Sequence, residues 1–133
     1  MIYSYQRTIA EFDLETINLE IETFCEQNEV PANKLFSIQL IIEELVTNII
    51  KYGKSQKNDE IITVELKVEM EEIDLTITDN SAAFNPLEEE EADTGLSAEE
   101  RSIGGLGLFL VRKRVKALNY ENKSGFNILR AKI

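Results

Sequence analysis

Between Ala32 and Tyr52 the chain carries Leu35, Ile38, Ile41, Ile42, Leu45, Val46, Ile49 and Ile50, apolar positions that cover more than half the circumference of a helix. A helix this apolar has to be buried, so the chain must supply at least one further layer to cover it. Pro31 and Asn33 open the segment and Gly53 closes it. Within it the polar residues Glu44 and Asn48 stand one turn apart, and Lys51 and Tyr52 follow on the next turn, so all four can share a face. Placing a carboxylate and an amide among so much Ile and Leu is costly unless they have partners. A structural reading is equally open, in which Glu44 and Asn48 line an exposed strip and Lys51 pairs with a carboxylate.

The covering layer is legible as strands. Tyr3, Tyr5, Arg7 and Ile9 alternate with polar neighbours, as do Ile62, Val64, Leu66, Val68 and Met70, and then Ile73, Leu75 and Ile77. With Glu71 and Glu72 between them, the last two runs predict an antiparallel hairpin with one buried face. Leu14, Ile17, Ile21 and Phe24 predict an amphipathic helix from about Glu11 to Asn28. A third helix is expected after Gly104-Gly105-Leu106-Gly107, with Leu108, Val111, Val115 and Leu118 on one face, and Phe126–Ile133 is expected to be a closing strand. Lys54–Glu60 is expected to be a polar loop, and Leu87–Ser102, which includes Glu88–Glu91, has no usable period. The order β-α-α-β-β-loop-α-β predicts an α/β two-layer sandwich, a mostly antiparallel sheet with helices on one face.

At 133 residues the chain is expected to be one domain, 1–133, able to bury roughly two-thirds of its unfolded surface. Its 14 basic and 25 acidic residues give a net charge of −11, which argues against nucleic acid or anionic lipid as a partner. An anionic ligand would then need a local site of backbone N–H groups, a helix N-terminus or a metal ion. No apolar run approaches the ~20 residues that cross a bilayer, and the N-terminus has no basic stretch leading into an apolar one, so a cytoplasmic protein is expected. The single cysteine, Cys25, falls on an apolar stripe and reads as a core residue. With no histidine in the chain, a Ser-His-Asp triad, His-ligated zinc and a phosphoacceptor histidine are all excluded.

Two further segments can carry chemistry. Asp79-Asn80-Ser81-Ala82-Ala83-Phe84-Asn85-Pro86 follows a strand directly, where an acidic residue can accept from an exocyclic amine such as that of adenine; a capped turn uses the same residue types. Gly104, Gly105 and Gly107 stand at a helix start, where backbone N–H groups can converge on an anion, although a plain hinge is also compatible. No Gly-Lys-Ser/Thr follows, so this is not a P-loop.

In order and spacing these elements resemble the boxes of the histidine-kinase/gyrase/Hsp90-type (GHKL) ATPases. Glu44-Leu-Val-Thr-Asn48-Ile-Ile-Lys51-Tyr52-Gly53 resembles the first box, Asp79 to Pro86 the second, and Arg101-Ser-Ile-Gly104-Gly105-Leu-Gly107-Leu108 the glycine-rich box. The chain is most similar to the small stand-alone members, the anti-sigma regulatory factor serine/threonine kinases of bacteria. In these a tyrosine and a Gly-x-Asn commonly lie between the last helix and strand, as Tyr120 and Gly125-Phe126-Asn127 do here.

The resemblance implies a Bergerat-type ATP-binding fold that takes ATP with Mg²⁺. It places Asn48 on the metal, Glu44 as the catalytic base, Asp79 at the adenine amine and Gly105 and Gly107 at the phosphates. Lys51, Tyr52, Ser81, Phe84, Arg101, Gly104 and Leu108 complete the expected nucleotide-binding set, and Leu87–Ile103 is the expected ATP lid. The implied activity is phosphorylation of a serine or threonine on a STAS-type anti-sigma antagonist, with a sigma factor as second partner. The oligomeric state is left open: members of this group are often homodimers, and a strand carrying Tyr3 and Tyr5 at the sheet edge would be available for pairing. Ser81 stands where the family usually has glycine, and Lys116-Ala117 where close relatives often carry Met-Asp at the end of the last helix. These departures motivate the alternative of a nucleotide-gated sequestering module without phosphotransfer.

Overall fold

The computed structural model describes residues 1–52, 59–83, 85, 87 and 103–133, with the backbone alone over 103–108. Five strands, β1 (Ile2–Thr8), β2 (Ile61–Glu69), β3 (Glu72–Asp79), β4 (Ala117–Lys123) and β5 (Phe126–Lys132), form one sheet in the order β1-β2-β3-β5-β4. Every neighbouring pair is antiparallel. Three helices, α1 (Leu14–Gln27), α2 (Ala32–Tyr52) and α3 (Ile103–Arg114), form the second layer of the α+β sandwich.

Period-2 alternation sorts the sheet into two faces. Tyr5, Ile62, Val64, Leu66, Ile73, Leu75, Ile77, Leu129 and Ala131 are buried. The opposite face is polar, with register rows such as Ser4, Glu65, Thr76, Arg130 and Asn119. Helix α2 lies at the centre of the helical layer, in contact with α1, α3 and β3. Its Ile38, Ile41, Ile42, Leu45 and Val46 are buried, as are Ile17, Ile21 and Cys25 of α1 and Val111 of α3. Cys25 is thus a core residue, and burial pushes its thiol up to about 11.

Helix α1 begins three residues later than the period suggests because Asp13 caps it, accepting from the Glu15 backbone N–H at 3.2 Å and from the Thr16 hydroxyl at 2.6 Å. Before that cap, Ile9–Glu11 form a single 3-10 turn. The helix ends where Glu29 turns left-handed (φ 56°) and the Val30 N–H reaches back to the Cys25 carbonyl at 2.9 Å. Helix α2 spans Ala32–Tyr52 as expected.

The C-terminal third corrects the sequence reading. The third helix stops at Arg114, so Leu118 is not on its face; Ala117–Lys123 is a strand that the periodicity missed. Lys116 and Ala117 therefore follow the helix rather than ending it. Helical spacing alone would carry the pattern through Leu118, but cross-strand pairing from Ala117↔Lys132 to Lys123↔Phe126 satisfies that backbone instead. The Lys116 N–H already donates to the Lys132 carbonyl at 2.7 Å. The hairpin closes through Ser124 (φ 54°) and Gly125 (φ 83°), two left-handed residues in the tight turn whose twist suits paired strands.

Phe84, Arg101, residues 88–102 of the expected lid and 53–58 of the expected polar loop lie outside the described residues. No helix among those described is long and apolar enough to cross a membrane.

Candidate nucleotide-binding site

A cleft lies between the C-terminal half of α2, the end of β3, the middle of β4 and the start of β5. Helix α2 lines it with Leu45, Asn48, Ile49 and Tyr52, and β3 and the residues after it contribute Ile77, Asp79 and Ser81. The far wall is Tyr120 of β4 with Asn127 and Leu129 of β5. Leu45, Ile49, Ile77 and Leu129 make the walls mostly apolar, while a few polar groups converge in one corner, the pattern of a small-molecule site.

That corner is built around Asp79, the last residue of β3, which is only 4% exposed. Its Oδ1 accepts from the Ser81 N–H at 3.1 Å, from the Ser81 hydroxyl and from Nδ2 of Asn127 at 3.0 Å. Asn127, itself buried, is Asp79's partner across the β3–β5 ladder. Its Nδ2 also donates to the Ala82 carbonyl at 3.1 Å, and its Oδ1 accepts from Tyr120 Oη at 2.5 Å and Asn122 Nδ2 at 3.0 Å. Asn80 ties the turn down from the other side, its Oδ1 accepting from the Ile61 N–H at 2.7 Å. A buried carboxylate held by this many donors is a satisfied group, and its place on a cleft wall makes it available to a ligand as well.

On the opposite wall Asn48 is half-buried, and no hydrogen bond among the described residues engages its amide. Glu44, one turn earlier, is half-buried too; desolvation raises its carboxyl above the usual range, and the neighbouring Glu43 adds to the shift. Tyr52 lines the cleft mouth, and Lys51 is exposed outside the walls with its ammonium 5.2 Å from the centre of the Tyr52 ring. Gly104, Gly105, Gly107 and Leu108 all fall within the first six residues of α3, a helix packed on α2. The first turn of such a helix has N–H groups without intrahelical acceptors.

The structure therefore brings Asn48, Tyr52, Asp79 and Ser81 to one cleft. Sequence reasoning missed Tyr120 and Asn127 as parts of it, and Asn122 as the group behind them that donates to Asn127; Tyr120 and Asn127 stand out in the sequence only as family marks. The available signal was Asn127 itself, a polar residue on the inward register of β5 whose neighbours there are Leu129 and Ala131. No cluster of three metal-ligating side chains exists among the described residues. One neutral amide oxygen at Asn48 does not build a resident metal centre, but it fits a Mg²⁺ that arrives on a triphosphate and keeps most of its other oxygen ligands.

The family profile described as the histidine kinase-like ATPase domain matches residues 10–133. The chain belongs to that family. Within it, the chain is 30% identical over 98 residues to the serine/threonine-protein kinase BtrW of Bordetella bronchiseptica, covering 74% of this chain and 69% of that protein. It is 26% identical over 99 residues to the serine-protein kinase RsbW of Listeria monocytogenes, covering 71% of this chain and 63% of the other, so the chain spans somewhat less than two-thirds of that relative. A similar fold is seen in the crystal structure of a SiaB-SiaC complex from Pseudomonas aeruginosa, with a TM-score of 0.65 at 13% identity over 98% of this chain and 89% of that one.

Proposed function

We propose that the cleft binds ATP with Mg²⁺ and that the chain is an ATP-dependent serine/threonine protein kinase of the anti-sigma factor type. The observation that carries this reading is the buried Asp79 carboxylate set at the end of an apolar slot whose other wall presents the Asn48 amide, unengaged among the described residues. A planar purine would lie between Leu45 and Ile49 on one side and Ile77 and Leu129 on the other, with its exocyclic amine donating to Asp79. Asn48 would hold Mg²⁺, which supplies charge neutralisation at the phosphates, and Gly105 in the first turn of α3 would offer its N–H group to the same phosphates, which Gly107, without a side chain, would let approach.

Glu44 is the proposed base. It accepts the proton of a serine or threonine hydroxyl on the partner as that oxygen forms its bond to the γ-phosphorus and the bond to the β,γ-bridging oxygen breaks, releasing ADP. Its raised affinity for a proton, caused by burial beside Glu43, suits a group that must take one up. The partner proposed for phosphorylation is a small STAS-type antagonist, with a sigma factor as the protein held in the alternate state. A cytoplasmic location and a homodimer formed at the β1 edge of the sheet belong to the same reading.

The test is incubation with radiolabelled Mg-ATP and the STAS-type partner. Labelled partner is expected from the native chain and none from Glu44→Gln, which should still bind ATP; transfer that survives Glu44→Gln removes that residue's role. One observation favours a second reading, sequestration without phosphotransfer: Ser81 crowds Asp79 with both its N–H and its hydroxyl. Normal ATP affinity with no phosphorylated partner would select it.

A further inference from the structure

Asp79 can serve a ligand only if its acceptor geometry is fixed, and the fixing group is on another strand. The Asn127 side chain is 6% exposed and engaged at both ends of its amide. Its Nδ2 faces three oxygens: Asp79 Oδ1 at 3.0 Å, the Ala82 carbonyl at 3.1 Å and the Ser81 carbonyl at 3.4 Å. Its Oδ1 faces two donors, Tyr120 Oη at 2.5 Å and Asn122 Nδ2 at 3.0 Å. A half-turn of the amide would set oxygen against three oxygens and one NH₂ group against another, so a single orientation satisfies the network. Every donor that reaches Asp79 among the described residues lands on Oδ1, which leaves Oδ2 to accept from a ligand.

We propose that Asn127 is a positioning residue: held in one orientation by Tyr120 and Asn122, it pins Oδ1 of Asp79 and presents Oδ2 as a fixed acceptor, so that the cleft selects purines bearing a 6-amino group over those bearing a 6-oxo group. The inference rests on the reading that the cleft takes ATP. It adds three side chains, none of which needs to touch the nucleotide's reacting atoms. Their effect passes through Asp79: a fixed acceptor attracts an amine and repels a carbonyl oxygen, and a site built around one buried hydrogen-bonding group rejects the analogue that leaves it unpaired.

The experiment is calorimetric titration of the native chain, Tyr120→Phe and Asn127→Asp with ATP and with inosine triphosphate, which differ at the 6-position and in the N1 hydrogen that accompanies the 6-oxo group. Melting curves on each variant check that it is folded. The native chain is expected to prefer ATP by at least about tenfold. Asn127→Asp replaces the donating amide with a second carboxyl group beside Asp79; a pair that close shares one proton and spreads one negative charge over both, so Oδ2 becomes a weaker acceptor for an amine and repels a carbonyl oxygen less. The ATP-to-inosine-triphosphate preference should then fall roughly tenfold or more. Tyr120→Phe removes one of the two donors that orient the amide and leaves Asn122, so its preference should fall by about two- to fivefold. If Asn127 and Tyr120 merely support the fold, both variants will weaken the two nucleotides in parallel with the ratio unchanged, which overturns the inference while leaving the ATP site intact. A native chain that binds both nucleotides equally overturns it too, and one that binds neither overturns the assignment of the cleft itself.

Discussion

Asp79 and Asn127 are register partners on β3 and β5, and the amide of one donates to the carboxylate of the other at 3.0 Å. This pair joins two hairpins, β2–β3 and β4–β5, at the edge of the cleft. It gives the sheet a polar seam in an otherwise apolar inner face and so defines which end of the sandwich a ligand can use.

Replacing Asp79 with Asn keeps the shape and changes the chemistry. The amide cannot accept with both ends, and one of its orientations sets NH₂ against the donors from Ser81 and Asn127. ATP affinity should fall at least about tenfold, as expected for losing a hydrogen bond to a charged group. Calorimetry on Asp79→Asn measures this directly, and an unchanged Kd would detach Asp79 from the nucleotide.

Asn48→Ala tests the metal end separately from the purine end. The apolar walls and Asp79 are untouched, so metal-free ATP in EDTA should bind the variant within about twofold of the native chain. The gain in affinity on adding Mg²⁺ should be lost, since the neutral oxygen ligand is gone. A fluorescent ATP analogue titrated with and without Mg²⁺ reads both numbers, and an undiminished Mg²⁺ effect would place the ion elsewhere.

Glu44 links activity and stability through pH. Burial raises its carboxyl above the ordinary value of 4.5, so the folded chain binds the proton more tightly than the unfolded one. The sign follows: the stabilisation from protonated Glu44 is fully present below the ordinary value and is lost as pH rises through the raised one. Glu44→Gln should therefore melt with the native chain in acid and above it at neutral pH. Phosphotransfer by the native chain should rise over the same interval as the base ionises. Parallel melting curves across that range would show that burial of the carboxylate carries no penalty.

The core makes a separate prediction. Ile41 has no exposed surface, so Ile41→Ala should destabilise the chain by about 2–5 kcal/mol in urea denaturation. Gly125→Ala introduces no clash, since nothing lies within 4 Å of a Cβ there, and only the left-handed backbone (φ 83°) resists it. Its penalty should be about 1 kcal/mol. A Gly125→Ala penalty as large as that of Ile41→Ala would mean the turn does more than close a hairpin.

Much of this architecture was legible because its signals are local. The stripe from Leu35 to Ile50 gave α2 its span, and the alternation at Ile62–Val68 and Ile73–Ile77 gave the central hairpin, since helical and strand periods differ enough to be told apart. β4 was not legible, because Val111, Val115 and Leu118 happen to keep helical spacing through a boundary that only pairing with β5 reveals. The site divides the same way. Motif, spacing and resemblance single out Asn48, Asp79 and Ser81, and all three line one cleft. Asn127 escaped as a site residue because its meaning lies in a contact 48 residues away in sequence, which no window along the chain contains.

That separation has a consequence for synthesis. Each hairpin is closed by a two-residue turn and can form as soon as it leaves the ribosome, but Asp79 waits for a partner on β5, the last strand made among the described elements. Until Asn127 emerges, the slot has one wall missing and its carboxylate lacks its cross-strand donor. A nascent chain stalled before β5 would hold all three helices and the β1–β3 strands, with β4 unpaired, yet have no nucleotide to stabilise it, so ligand-assisted folding can act on this domain only after translation has passed β5.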